Sequence, residues 1–147
     1  MAEPAAHPDT APGRATNAGP GRLLIGVYSL FAVAAGARAT VQIATRFDDA
    51  PVAYTLSAVA AVIYLVAAVG LARGGAGGRR LAFTCCAVEL AGVLAVGTAS
   101  LIWPEAFPDA TVWSLYGVGY GFVPLVLPVL GLLWLRRTAP PTPPTSA

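Results

Sequence analysis

Two charges sit where an apolar chain gives them little reason to be. Arg38 lies inside the run LLIGVYSLFAVAAGARATVQIAT and Glu89 inside LAFTCCAVELAGVLAVGTASLIW. Read as helices rising about 1.5 Å per residue, the two runs place Arg38 roughly 22 Å and Glu89 roughly 12 Å from their starts, so neither is terminal. A charge in mid-bilayer costs at least about 2.5–3.5 kcal/mol on insertion scales, so such residues face other helices and find partners. The same rise brings Tyr64 to the height of Glu89, and Ser57 and Tyr120 close to Arg38. Gln42 follows Arg38 by one turn on the same face. The expectation is an outer polar layer of Arg38, Gln42, Ser57 and Tyr120 and an inner one of Glu89 and Tyr64. A direct Arg38–Glu89 pair has to bridge roughly 10 Å of depth.

Each of these residues also has a purely structural reading. Arg38 can snorkel to the outer interface or pair with Asp48 and Asp49, fixing only its own helix. Glu89 is either a proton-binding carboxyl or a neutral group hydrogen-bonded to Tyr64. Pro124 and Pro128, one turn apart, each remove a backbone donor and predict a kink that either lines a solute path or is passive. Cys85 and Cys86 are adjacent, so their side chains diverge by about 100° and form no C-x-x-C redox pair; packing is the simpler role, a reactive or acylated thiol the alternative. His7 has no second ligand near it, and Gly74, Gly75, Gly77 and Gly78 lack the Lys of a phosphate loop. The sequence therefore reads as non-enzymatic, with no metal and no cofactor.

These residues need long helices to hold them. With 56% hydrophobic and 11% charged residues in 147, the chain is too apolar for a soluble domain of its size. Four apolar runs, at about 23–45, 52–72, 81–103 and 114–135, each reach the roughly 20 residues that cross a hydrocarbon core of about 30 Å. The alternation of a membrane β-barrel is absent. The expected fold is all-α: a polytopic up-down bundle of four transmembrane helices over 22–137, with the short turn RFDDAPV and the glycine-rich RGGAGGRR as hairpin loops. The flanks, 1–21 and the Pro-rich 138–147, should be disordered tails. Arg22 and the run after it imitate a signal peptide, but the run is longer than such a segment and carries Arg38.

All nine basic residues are Arg. Arg14, Arg22, Arg73, Arg79, Arg80, Arg136 and Arg137 fall on one side of the expected membrane, and only Arg46 on the other, beside Asp48, Asp49, Glu105 and Asp109. That bias predicts a multi-pass protein of the plasma membrane with both termini cytoplasmic. Trp103, Trp113 and Trp134, at helix ends, read as interfacial anchors. The scattered arginines form no nucleic-acid patch. Small residues four apart offer close helix contacts: Ala32 and Gly36, Ala91 and Ala95, and above all Gly117 and Gly121, as intrabundle packing or as a dimer face.

The stretch GVYSLFAVAAGARATVQIATRFDDAPVAYTLSAVAAVIY, the Arg-rich central loop and WSLYGVGYGFVPLVLPVLGLLWL together resemble small four-helix integral membrane proteins of actinobacteria, over about residues 22–137. That family is described only as membrane proteins of unknown function, so the resemblance implies fold and location and no site residues. Two roles follow as expectations. One is an accessory or scaffold component that binds the bilayer and either another membrane protein or its own copies. The other is a small oligomeric transporter or channel using Glu89 and Arg38. A four-helix thiol or quinone enzyme would need paired cysteines that the sequence lacks.

Overall fold

The computed structural model describes residues 19–139, so 1–18 of the expected tail 1–21 and 140–147 of the expected tail 138–147 lie outside it, while Pro20 and Gly21 already belong to the first helix. Four α-helices follow in order: α1 (Pro20–Arg46), α2 (Pro51–Arg73), α3 (Gly75–Ile102) and α4 (Val123–Arg137), with no strand among the described residues. Proline opens both α1 and α2, where its missing N–H costs nothing. The first three helices have 27, 23 and 28 residues, roughly 40, 35 and 42 Å, enough to cross a membrane. Leu23 and Val33 are each 71% exposed, and Val62, Leu101 and Ile102 more than half so, on faces that water would not tolerate. The molecule is an all-α polytopic bundle whose outer faces suit lipid.

Its interior along α1 and α2 sets small residues around the buried rings of Tyr28, Tyr54 and Tyr64. Ala35, Ala39, Ala53, Ala60, Ala61, Ala67 and Ala68 are buried along α1 and α2, and a Cβ placed on Gly36 would meet Ala61 at 3.8 Å. Without a hydrophobic force to join helices in lipid, such close backbone approach supplies the packing. The expected Ala91–Ala95 contact does not form, because both side chains face outward.

Two expectations need correction. The RGGAGGRR loop is nearly all helix: α2 ends at Arg73 and α3 begins at Gly75, and Gly74 and Gly75, at φ 61° and 65°, make the reversal. The left-handed region is open to glycine, so two residues do what eight were assigned. A Cβ on Gly78 would lie 2.6 Å from the Gly70 carbonyl oxygen, so the glycines also let the two helix ends press together.

The fourth run is not one helix. Residues 114–120 form an irregular 3₁₀ segment bent by 99° from α4, which has only 15 residues. Leu115, Tyr116, Gly117, Gly121 and Phe122 all have positive φ. Pro124 cannot bond the Tyr120 carbonyl, and its ring would clash there, so a regular helix starts afresh at Val123. The break therefore precedes Pro124, while Pro128 lies inside α4. Gly117 and Gly121 are turn residues rather than a helix-packing motif: a Cβ on Gly117 would strike the Pro124 ring at 2.8 Å.

Hydroxyl groups fix the approach to this bend. Thr111 Oγ1 accepts from the Trp113 and Ser114 amides at 3.0 and 2.9 Å, the Leu115 amide donates to Ser100 Oγ at 2.9 Å, and the Thr98 and Tyr116 hydroxyls lie 2.9 Å apart.

Candidate functional site

Glu89 is completely buried on α3. Tyr28 of α1 donates its hydroxyl proton to Glu89 Oε2 at 2.8 Å, and the same hydroxyl lies 3.3 Å from the Cys86 sulfur, one turn before Glu89 on the same face. α4 closes this cluster with Gly131, where a Cβ would meet the Cys86 sulfur at 2.8 Å and the Tyr28 hydroxyl at 3.5 Å. Glu89 Oε1 has no hydrogen-bond partner among the described residues. One carboxyl oxygen is therefore satisfied and one is not, inside an apolar wall.

Tyr64 lies beside this cluster, its ring centroid 6.2 Å from that of Tyr28, but it does not bond Glu89. Its hydroxyl instead accepts from the indole N–H of Trp113 at 3.2 Å. Trp113 is thus not an interfacial anchor: it is buried, and its ring lies where a Cβ on Gly92 would approach to 2.8 Å. Trp103, 58% exposed at the end of α3, keeps the anchor geometry, and Trp134 is half-buried with an unpaired indole N–H.

In the outer layer Arg38 Nη1 donates to the Tyr120 hydroxyl at 2.8 Å, with the guanidinium 6.0 Å from the Tyr120 ring centre. Arg38 remains exposed, which a guanidinium tolerates when it lies on an aromatic ring. Gln42 and Ser57 are buried, but neither bonds Arg38: Ser57 donates to the Ala53 carbonyl of its own helix at 3.0 Å, and Gln42 Oε1 is unpaired. Phe31 links the layers, its ring 5.9 Å from Tyr64 and 6.0 Å from Tyr120. Arg38 and Glu89 do not pair. Arg38 stands ten residues, about 15 Å, along α1 from the tyrosine that holds Glu89, more than two side chains span.

Past these layers Tyr54 of α2 donates to Asp109 Oδ2 at 2.5 Å, and Arg46 approaches the same oxygen at 4.0 Å. This is the only ion pair among the described residues, so Asp48 and Asp49 do not hold Arg38. It ties the segment between α3 and α4 to the α1–α2 hairpin.

Tyr28, Trp113, Tyr54, Asp109 and Gly131 are thus site residues that sequence reasoning missed. Tyr28 carried a usable signal: counted from Leu23 it stands at a depth of about 7.5 Å, within one helical turn of Glu89. Among the described residues no three His, Cys, Asp or Glu side chains cluster as metal ligands. Compared with known proteins, the chain matches no family model, no curated protein and no solved structure. The resemblance to actinobacterial membrane proteins rests on the quoted residues alone.

Proposed function

We propose that the protein is a non-enzymatic accessory or scaffold component of the plasma membrane, acting by lateral contact with another membrane protein. The observation that carries this reading is that both intramembrane charges find a partner inside the chain: Glu89 is sealed between α1, α3 and α4 with Tyr28 as donor to one of its oxygens, and Arg38 lies on Tyr120. Such bonds fix helix order and register. Contact is left to the outer faces, among which α3 presents the small residues Ala91 and Ala95. The resemblance in sequence and the one-sided arginines support the same location, with both termini in the cytoplasm.

The test is the native mass of the full chain after gentle detergent extraction through a C-terminal tag. A stoichiometric foreign membrane subunit is the expected result. A homo-oligomer with no foreign subunit overturns the accessory reading and favours a small oligomeric transporter using Glu89 and Arg38. One observation speaks for that second reading: the unpaired Oε1 of Glu89 is a free acceptor in the membrane interior. In that case Glu89→Gln abolishes proton-coupled uptake by reconstituted vesicles. In a scaffold it leaves partner binding intact.

A further inference from the structure

At the end of the bundle where α2 turns into α3, a groove of about 510 Å³ runs between the first turns of α3 and the last turn of α4, lined by Gly75, Ala76, Arg79, Arg80, Phe83, Thr84 and Leu135. Its two parts differ in chemistry. Phe83 and Leu135 give it an apolar floor, and Arg136 of α4 reaches over the Phe83 ring, its guanidinium 6.0 Å from the centroid. At the mouth, α3 begins without a side-chain cap.

The arginines around the groove have unequal commitments. Arg79 is held by α4: it donates to the Leu135 carbonyl and, at 2.9 Å, to Thr138 Oγ1, bonds that satisfy the C-terminal turn of that helix. Arg80 and Arg136 are exposed and make no ion pair among the described residues. Among the described residues no carboxylate balances them, since Asp48, Asp49, Glu105 and Asp109 belong to the turns at the opposite end and Glu89 is sealed in the core. The result is an apolar slot with a positive rim that no described carboxylate offsets.

We infer that this groove binds one anionic phospholipid, with its phosphodiester held by Arg80 and Arg136 at the uncapped start of α3 and an acyl chain laid along Phe83 and Leu135. The charge selects a negative headgroup, and the apolar floor selects a lipid over a free anion. Arginine is suited to this role because its fork matches two phosphate oxygens. The inference does not depend on whether the bundle is a scaffold or a transporter.

The full chain, purified in mild detergent and checked for helix content, would be loaded with phosphatidylglycerol or with phosphatidylcholine of the same acyl chains, and the retained lipid counted by native mass spectrometry. One phosphatidylglycerol should be retained, and phosphatidylcholine released. Arg80→Gln and Arg136→Gln should each weaken retention about fivefold, the effect of one basic residue on an anionic lipid surface. Ala76→Phe occupies the groove from an exposed position without changing charge and should weaken it too, whereas Arg22→Gln, at the same end but outside the groove, should not. Equal retention of phosphatidylcholine, no effect of Arg80→Gln, or an equal effect of Arg22→Gln overturns the inference. Displacement of the lipid by millimolar inorganic phosphate does so as well, by making this a soluble-anion site.

Discussion

A carboxyl group in the middle of an apolar bundle is stable only through what its neighbours donate, and for Glu89 that is the Tyr28 hydroxyl at 2.8 Å. Tyr28→Phe leaves both oxygens unpaired and should destabilise the fold by about 1–3 kcal/mol, measured by loss of helicity in a denaturing-detergent titration. Adding Glu89→Leu should return most of that loss, because a buried group removed together with its partner leaves nothing unsatisfied. An equal loss in the single and double variants would show that Tyr28 matters through packing alone. At the same layer Gly131→Ala should be destabilising, since its methyl group lands 2.8 Å from the Cys86 sulfur, and Cys86→Ala should rescue it. Arg38 and Tyr120 could be matched from the sequence because both lie at one depth and each has few other partners. The partner of Glu89 could not, because Tyr28 and Tyr64 lie at nearly the same height, and the choice between them depends on how α1 and α2 are rotated about their axes. Once Trp113 folds inward to donate to Tyr64, Glu89 is left to Tyr28.

The three long helices were legible because hydrophobic length sets them, and lipid-spanning runs have few other solutions. Their ends were less so. The RGGAGGRR segment reads as a loop by composition, yet its glycines serve a one-residue break followed by helix, and Gly78 is needed for contact with Gly70 rather than for flexibility. Gly78→Val should therefore open the α2–α3 hairpin and cost more than Gly77→Val, whose Cβ meets nothing within 4 Å, in the same unfolding titration. In the fourth run, the composition that signals a membrane helix also hides three glycines and Pro124, which favour the bend. Gly117→Ala combines a positive φ of 80° with a 2.8 Å contact to Pro124 and should destabilise by about 1–2 kcal/mol or more; Gly119→Ala, with open space around it, should be close to neutral.

For the whole molecule, antiparallel α1, α2 and α3, with Arg79 of α3 bonded to the end of α4, bring the arginine-rich segments to one end and Asp48, Asp49, Glu105 and Asp109 to the other. In a chain with Cys85 and Cys86 replaced by Ala, a thiol introduced by Ala76→Cys should be labelled by an impermeant maleimide only after cells are opened, and one introduced by Ala106→Cys in intact cells. The reverse pattern would invert the proposed orientation. The Tyr54–Asp109–Arg46 contact is the latch of the acidic end, and Asp109→Asn should loosen the segment before α4 without unfolding α1–α3, seen as faster proteolysis between residues 103 and 113.

The length of α4 has a consequence for the bilayer itself. Its 15 residues stand only about 22 Å tall beside neighbours of 35 Å and more, and the segment before it turns away by 99°. Along that flank a helix wall facing acyl chains would be shorter than a hydrocarbon core of about 30 Å, a mismatch that bilayers and proteins meet by local thinning, snorkelling side chains or association. The molecule is a wedge in hydrophobic thickness, low on one side. For the proposed scaffold, a neighbour with a matching short span would relieve that mismatch and give lateral association a preferred direction that needs no specific side-chain contact.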